Sequence, residues 1–323
     1  MTRLLTRKDI ASVLTIGDCI TAVEEAFRAH GEKRFEPPQS LGFHAQHGGF
    51  HVKAALMDRF AAKVNANFPM NPERLALPTI QGVLVVMDAG NGTPLAIMDS
   101  MEITILRTAA ASAVAAKHLA RRDASVATIV GCGAQARAQL HALTRVRKIT
   151  NAWVVDTNHE AAERFASDMS SRLGIEVQSR DSIDEAVALS DVVITCTTSR
   201  TPVLDLRHRH PGLFIAGVGA DNPEKNELSP ALLAVTRVVP DIAAQAATMG
   251  DLHHALVAGT MTIDAIHGEL AEIVCGTKAG RSSDDEIFVF DSTGTAIQDV
   301  AAASIALDRA IELGIGLEID LAH

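Results

Sequence analysis

The stretch SVATIVGCGAQA, residues 125–136, decides the fold of this chain. An apolar, β-branched run is followed by Gly-x-Gly-x-x-Ala, the spacing that joins the first strand of a dinucleotide-binding unit to its helix. In such a turn Gly131 permits the tight bend and Gly133 lets the backbone approach a pyrophosphate. The backbone N–H groups that begin the helix, at Ala134 and Gln135, are then predicted to bind the phosphates.

An acidic residue stands where the second strand of such a unit should end. Asp156 directly follows the apolar run AWVV (152–155), about 20 positions after the glycine-rich turn. A carboxylate here accepts hydrogen bonds from the adenosine ribose and repels a 2′-phosphate. The sequence therefore predicts NAD(H) rather than NADP(H) as the cofactor. The alternative is an ordinary strand–turn–helix connection that binds no nucleotide.

Apolar strands alternate with helical stretches after residue 123, which predicts an α/β fold with a doubly wound parallel sheet. The predicted strands are residues 126–130, 152–155, 192–196, 213–218, 238–241 and 287–291. Elsewhere the pattern predicts helices over 18–30, 104–120 and 295–313, loops and short strands over 35–49, and a hairpin over 82–99.

The bulk composition argues against several classes of function. The formal net charge is -10, and the chain has no Tyr and one Trp, which disfavours nucleic-acid binding. No apolar run approaches the roughly 20 residues that span a bilayer, and the charged N-terminus does not resemble a signal peptide. Four scattered cysteines without a Cys-x-x-Cys pair suit a reducing compartment. We therefore expect a cytoplasmic protein without a metal, a membrane partner or a nucleic-acid partner.

Six stretches carry a resemblance to a known family. They are LPTIQGV (77–83), PLAIMDSM (94–101), ITILRTAAASAVAAKHLAR (103–121), IVGCGAQAR (129–137), GVGADNPEKNELS (217–229) and FDSTGTAIQDVAA (290–302). The chain resembles the ornithine cyclodeaminase/mu-crystallin family, which includes an archaeal-type alanine dehydrogenase and cyclic imine reductases. The resemblance implies a homodimer. Its α+β substrate-binding and dimerisation domain would comprise residues 1–118 and 300–323, with a Rossmann domain, residues 119–299, inserted between them.

The resemblance also implies roles for individual residues. Asp221 and Lys63 match the catalytic aspartate and the substrate-side lysine of the family. Thr79, Arg107 and Lys225 match residues that bind the substrate. With the glycine-rich turn and the acidic residue included, the predicted cofactor-binding residues are Thr108, Gly131, Gly133, Ala134, Gln135, Asp156, Thr197, Ser199, Val218, Gly219, Asp291 and Ser292.

One position departs from the family pattern. Relatives often carry Arg or Lys after paired prolines to bind the substrate carboxylate, whereas Gln39 follows Pro37 and Pro38 here. His51 stands where a second basic residue is expected, and Lys53 lies two positions on, on the same face of a strand. Gln39, His51 and Lys53 are therefore included among the predicted substrate-binding residues.

The residue types suit hydride exchange on an amino acid. Asp221 follows an apolar strand, and ligands of open α/β sheets bind at the carboxyl ends of strands. Arg107 can bind a carboxylate through two hydrogen bonds, and Lys63 or Asp221 can move a proton. Without the resemblance, Asp221 would be interpreted as a turn residue and Lys63 as a solvated lysine.

The sequence thus predicts an NAD(H)-dependent oxidoreductase of small 2-amino or 2-imino acids, of the amino acid dehydrogenase or pyrroline-2-carboxylate reductase type. An ornithine or lysine cyclodeaminase, which recycles NAD in each turnover, is the alternative. A third hypothesis is a ligand-binding protein like mu-crystallin. Such sequences lack the aspartate and lysine that stand here at Asp221 and Lys225, which favours an enzyme.

Overall fold

The computed structural model of the protein describes residues 1–321. Unit 1 comprises Met1–Arg107 together with the described chain from Thr295 onward, and unit 2 is Thr108–Gly294. The domains expected from the sequence differ at both boundaries. Residues 108–118 are expected in the substrate-binding domain but belong to unit 2, and residues 295–299 are expected in the Rossmann domain but belong to unit 1. Residues 322–323 of the expected substrate-binding domain lie outside the described residues. One helix runs through the first boundary, so no turn signal marks it.

The strands are β1 (Thr2–Leu5), β2 (Gln39–Ala45), β3 (Gly48–Leu56), β4 (Arg59–Asn67), β5 (Ile80–Asp88), β6 (Pro94–Asp99), β7 (Val126–Val130), β8 (Asn151–Val155), β9 (Glu176–Ser179), β10 (Val192–Thr195), β11 (Phe214–Gly217), β12 (Arg237–Pro240), β13 (Phe288–Asp291) and β14 (Leu317–Ile319). The helices are α1 (Arg7–Val13), α2 (Ile16–Gly31), α3 (Asn71–Leu75), α4 (Ser100–Leu119), α5 (Ala134–Val146), α6 (His159–Leu173), α7 (Ile183–Ala188), α8 (Pro230–Leu233), α9 (Ala243–Ala246), α10 (Gly250–Val257), α11 (Leu270–Val274) and α12 (Ala296–Glu312). Short 3-10 helices occupy Leu206–His208 and Ile263–Ala265.

Unit 1 is built on a seven-stranded mixed sheet in the order β14-β1-β6-β5-β4-β3-β2. The strand β1 pairs with β6 in parallel, and the other pairings are antiparallel. Helix α12 packs on β3, β4 and β5 and against α2, with Ile297, Val300 and Leu307 buried. The helix therefore covers one face of the sheet.

Two elements of unit 1 extend beyond the sequence prediction. The stretch expected to hold loops and short strands contains all of β2 and the start of β3. Helix α4 begins at Ser100 rather than near residue 104, because Asp99 Oδ1 accepts hydrogen bonds from the backbone N–H groups of Met101 and Glu102. A carboxylate in this position satisfies amides that the helix leaves unpaired.

Unit 2 contains a seven-stranded parallel sheet in the order β12-β13-β11-β10-β7-β8-β9. Its strands are nearly all buried, as expected where helices cover both faces. The strand order reverses between β7 and β10, which creates a crevice at the carboxyl ends of these strands. The predicted doubly wound parallel sheet is therefore confirmed. Strand β9 was not predicted, because in its four residues only Val177 is an apolar side chain.

Candidate functional site

A buried ion cluster joins three elements of unit 1. Lys63 lies on β4, Arg107 on α4 and Asp299 in the first turn of α12. Asp299 Oδ1 is 2.8 Å from Lys63 Nζ and 2.9 Å from Arg107 Nε. All three side chains are at most 5% exposed. We call these three residues the ion cluster.

The charges of the ion cluster set the protonation of Lys63. Burial lowers the pKa of Lys63 to about 7, and the nearby positive charges of Arg107 and Lys53 act in the same direction. Asp299 opposes them. Burial alone would raise the pKa of Asp299, but Arg107 and Lys63 bring it below its ordinary value. The cluster thus holds a stable carboxylate beside an amine that can gain or lose a proton near neutral pH.

Several polar atoms of this region have no hydrogen-bond partner within residues 1–321. Gln298 Oε1 accepts a hydrogen bond of 2.6 Å from Arg107 Nη1, but its Nε2 is buried and unpaired. Asp299 Oδ2 is unpaired too, and Arg107 Nε pairs with Asp299 by charge without hydrogen-bond alignment. Because buried polar groups are nearly always satisfied, these atoms indicate a place where a polar ligand or water completes the network.

The sheet register separates the predicted substrate-binding residues of the first strands. Lys53 lies directly opposite Lys63, and His51 lies opposite Asn65, so these four side chains share one face of the sheet. Gln39 lies opposite Ala54, which places it on the other face, and its side chain is exposed. Gln39 is therefore not brought to the ion cluster.

Thr79 directly precedes β5, and Thr108 lies within α4. Thr79 is half-buried just before β5, and its carbonyl accepts a hydrogen bond from the N–H of Phe68. Thr108 is buried in α4, directly after Arg107. Its carbonyl accepts a hydrogen bond from Ser112 Oγ.

The glycine-rich turn of unit 2 has the geometry expected for a phosphate site. Gly131 has a φ of 91°, and a Cβ there would lie 3.0 Å from Thr197 Cγ2, so a side chain would be both strained and crowded. Gly133 immediately precedes α5, and a Cβ there would meet open space. Ala134 and Gln135 open the helix, and the backbone N–H groups of a first helical turn have no partner within the helix. These residues fit a bound pyrophosphate.

Asp156 joins the end of β8 to the glycine-rich turn. Its Oδ2 accepts a hydrogen bond of 2.7 Å from Cys132 N, and its Oδ1 accepts one of 2.8 Å from Asn158 N. A carboxylate offers about four acceptor positions, so both oxygens can also bind ribose hydroxyl groups. The carboxylate therefore stabilises the turn and suits the predicted ribose contact.

One carboxylate connects the loops that follow β10 and β11. Glu227 Oε2 accepts hydrogen bonds from Thr195 Oγ1 at 2.7 Å and Gly219 N at 2.6 Å. Glu227 Oε1 accepts one of 2.6 Å from Thr197 N. Burial raises the pKa of Glu227, although these hydrogen bonds act against that rise. The predicted cofactor residues Thr197 and Gly219 are thus held by one buried side chain.

Two further predicted cofactor residues lie at the ends of these strands. Val218 is buried, and its N–H donates to Thr195 O at 2.9 Å. Ser199 Oγ donates to Thr201 O at 2.6 Å. Both hydrogen bonds stabilise the loops after β10 and β11, which Glu227 connects.

Asp291, which is predicted to lie on the nicotinamide side, has backbone partners for its carboxylate. It is fully buried, and its carboxylate accepts hydrogen bonds from Asp251 N and Leu252 N. Burial raises its pKa to about 7. The neighbouring Ser292 has a buried Oγ without a partner in residues 1–321. Ser292 therefore keeps a free polar group at this strand end, whereas Asp291 stabilises the start of α10.

The predicted catalytic Asp221 lies in an exposed loop after β11. Lys225 Nζ donates a hydrogen bond of 2.8 Å to Asp221 Oδ1. The Asp221 side chain is 46% exposed and that of Lys225 17%. The structure thus brings these two predicted site residues of unit 2 together.

Within residues 1–321, no cluster of three or more His, Cys, Asp or Glu side chains is placed to hold a metal ion. None of the helices in this range combines the length and apolar character needed to cross a membrane.

The family model described as "Ornithine cyclodeaminase/mu-crystallin family" matches residues 1–313. The chain belongs to the ornithine cyclodeaminase/mu-crystallin family. The resemblance inferred from the six sequence stretches is thereby confirmed.

Solved structures of other family members are similar over nearly their whole length. An archaeal alanine dehydrogenase dimer with bound NAD is 36% identical, with a TM-score of 0.95 and 99% of each chain covered. A Thermococcus litoralis Δ1-pyrroline-2-carboxylate reductase, in complex with NADH and L-proline, is 34% identical with a TM-score of 0.95, covering 98% of this chain and 100% of that one. A lysine cyclodeaminase that recognises L-lysine, L-ornithine and L-2,4-diaminobutyric acid is 31% identical with a TM-score of 0.89, covering 100% and 96%.

Sequence reasoning missed two residues that organise this family member's candidate site. Asp299 is a charged residue directly before the apolar run VAAA, residues 300–303, of α12, a signal that could have drawn attention to it. Glu227 lies between Asn226 and Leu228, and no local pattern distinguishes it from a surface residue.

Proposed function

We propose that this member of the ornithine cyclodeaminase/mu-crystallin family is an NAD(H)-dependent oxidoreductase of small 2-amino or 2-imino acids. The observation that carries the proposal is the ion cluster, in which a buried lysine with a pKa of about 7 lies beside a buried arginine. The relatives with bound NAD or NADH support the same chemistry.

Unit 1 supplies the groups that such a substrate requires. Arg107 and Lys53 bind the substrate carboxylate, and His51 and Thr79 are proposed to lie at the edge of the same site. Lys63 protonates the imine nitrogen in the reductive direction, which makes the adjacent carbon a better electrophile. In the oxidative direction, the neutral amine of Lys63 accepts that proton.

Unit 2 supplies the dinucleotide site. Bound NAD(H) donates or accepts the hydride. The N–H groups at Gly133, Ala134 and Gln135 hold the pyrophosphate, and Asp156 binds the ribose. Thr108, Thr197, Ser199, Val218, Gly219 and Ser292 are proposed to complete the cofactor site. Asp221, with Lys225 as its partner, is proposed to bind or deprotonate the substrate amino group.

The cofactor preference follows from Asp156. Its carboxylate, already held by two backbone N–H groups, would face the 2′-phosphate of NADP(H) at close range. We expect tighter binding of NADH than of NADPH in fluorescence titrations. Equal dissociation constants would contradict this role for Asp156.

The experiment that tests the function follows the absorbance of NADH. Purified protein is mixed with NADH and either cyclic imino acids or 2-oxo acids with ammonia or methylamine. Oxidation of NADH with one substrate class would support the proposal and identify that class. Tight NADH binding without turnover of any substrate would contradict it and favour a binding protein.

The similarity to lysine cyclodeaminase favours one second candidate. A cyclodeaminase would release ammonia from ornithine or lysine in the presence of NAD without any net change in NADH absorbance. Ammonia release under these conditions, with no oxidation of NADH by imino acids, would replace the first proposal with this one.

An exposed apolar face of the unit 1 sheet supports a homodimer. Leu41, Phe43, Phe50, Val64 and Val83 are 38% to 62% exposed. Cross-strand pairing joins Phe43 to Phe50 and Val64 to Val83, so the residues form a continuous patch. Patches of this kind mark protein interfaces, and an archaeal relative is a dimer. We expect a dimer by light scattering, and dissociation in Phe43→Lys but not in Leu189→Lys, which alters an exposed residue of unit 2. An unchanged mass in Phe43→Lys would contradict this interface.

A further inference from the structure

Asp299 is the one carboxylate of the ion cluster. Its Oδ1 is shared by Lys63 Nζ and Arg107 Nε, two cations that come from different elements of unit 1. Gln298, the preceding residue, binds Arg107 Nη1 at 2.6 Å. Two consecutive residues of α12 therefore hold the guanidinium and the amine in one arrangement.

The start of α12 favours a negative charge at this position. Asp299 lies in the first turn of the helix, where the helix dipole stabilises a carboxylate. Its pKa stays below its ordinary value despite complete burial, because Arg107 and Lys63 outweigh the cost of burial. Asp299 is therefore a fixed charge rather than a group that exchanges protons near neutral pH.

We propose that Asp299 is a positioning residue, which fixes Lys63 and Arg107 relative to each other and favours the ammonium form of Lys63. The inference rests on the function proposed above, in which Lys63 transfers a proton and Arg107 binds the substrate carboxylate. It adds a residue that acts through Lys63 and Arg107, the two side chains that its Oδ1 holds.

The charges around Lys63 determine in which direction its pKa should change when Asp299 is removed. Arg107 on α4 and Lys53 on β3 lower the pKa of Lys63, while Asp299 on α12 raises it. Thr104 Oγ1, 3.3 Å from Nζ, and Leu84, opposite on β5, carry no charge. Without Asp299, the buried amine would face two positive charges, and its ammonium form would be strongly disfavoured.

The first test is the pH profile of kcat/KM in Asp299→Asn. An opposite charge within hydrogen-bond distance shifts a pKa by about 1 to 3 units. We therefore expect the inflection assigned to Lys63 to move about 1 to 3 units towards acid pH. The direction is the same whether the ammonium or the free amine is the active form. The dissociation constant of NADH should stay unchanged, because the proposed pyrophosphate and ribose contacts lie in unit 2.

Asp299→Glu provides the rescue. It restores the negative charge on a longer side chain, so the inflection should return towards its wild-type pH even where kcat stays reduced. Asp308→Asn is the matched control, because Asp308 lies on the same helix, pairs with Arg59 and is 59% exposed. The pH profile of kcat/KM should be unchanged in Asp308→Asn.

A second readout does not depend on turnover. NMR titration of protein labelled with 13C at lysine Cε reports the protonation of Lys63, with the resonance assigned by Lys63→Met. An inflection at the same pH in wild type and Asp299→Asn, by kinetics or by NMR, would overturn the inference. If wild-type protein turns over no amino or imino acid, the proposed function fails, while the NMR comparison still decides the role of Asp299. Should Asp299→Asn not fold, Asp299→Ser and Asp299→Glu give the same comparison.

Discussion

Unit 1 and unit 2 both bury charged side chains, but they stabilise them in different ways. In the ion cluster of unit 1, one carboxylate is paired with two cationic side chains. Unit 2 buries Glu227, Asp251 and Asp291, which we call the carboxylate set. These accept hydrogen bonds mainly from backbone N–H groups.

The difference separates a group that is proposed to react from groups that hold loops in position. Burial, together with the charges around it, brings the pKa of Lys63 to about 7. Donors and acceptors of the region remain unpaired. In the carboxylate set, burial raises the pKa values of all three acids, and their oxygens hold the loops at the strand ends. The first arrangement suits proton transfer, and the second suits a preorganised cofactor site.

Lys63→Met should give the largest effect in this comparison. The substitution keeps the apolar stem but removes the group that transfers the proton, so we expect kcat/KM to fall about 10²- to 10⁴-fold. NADH binding should stay near its wild-type strength. Steady-state kinetics and a fluorescence titration measure the two effects.

Lys148→Met is the control, because Lys148 is an exposed lysine of unit 2. Its activity should match that of wild type. Full activity in Lys63→Met would show that the ion cluster is structural only.

Glu227→Gln should show the reverse of the pattern in Lys63→Met, with NADH binding as the property mainly affected. The amide cannot accept all three hydrogen bonds that the carboxylate accepts, and each buried donor left unpaired costs about 1 to 3 kcal/mol. We expect the dissociation constant of NADH to rise about tenfold or more, as measured by fluorescence titration.

Glu224→Gln is the matched control for Glu227. Glu224 lies three residues earlier, is 65% exposed and pairs with Arg200, so its loss should leave NADH binding unchanged. Wild-type affinity in Glu227→Gln would mean that the loops after β10 and β11 hold their form without this carboxylate.

Asp291→Asn should have the smallest effect on activity, and its main effect should be on the slope of stability against pH. The folded-state pKa of about 7 lies above the ordinary 3.8, so the unfolded chain ionises first as pH rises. Wild type therefore loses stability from this group as the pH rises from about 4 to about 7. The variant lacks this loss, so its stability relative to wild type should improve over that range. Urea unfolding at several pH values measures it, and a difference that does not vary with pH would contradict the role of burial.

Much of the fold could be predicted from the sequence because its signals are local. Each of these signals is recognised from residues that are close together in sequence. They are the apolar run before Gly131, the acid at Asp156 and the alternation of strands and helices. The short strand β9 escaped because it carries a single apolar side chain.

The candidate site depends instead on partners far apart in sequence. Lys63 and Asp299 are 236 positions apart, and Glu227 binds Thr197 across 30. Such pairs leave no periodic pattern. The opposite orientation of Gln39 and Lys53 follows from a pairing register that neither strand specifies by itself.

The position of β13 in the parallel sheet bears on the order in which the protein can fold during synthesis. This strand lies between β11 and β12, although it is the last strand of unit 2 along the chain. The edge strand β12 therefore has no neighbour to pair with until residues 288–291 have left the ribosome. The N–H groups at the start of α10 also lack their acceptor, the carboxylate of Asp291, until this segment is synthesised. Lys63 lacks its counter-ion for even longer, because Asp299 is synthesised after this strand. A nascent chain of this protein therefore carries incomplete buried polar networks in both units until residue 299 has emerged, a period in which chaperones have most to protect.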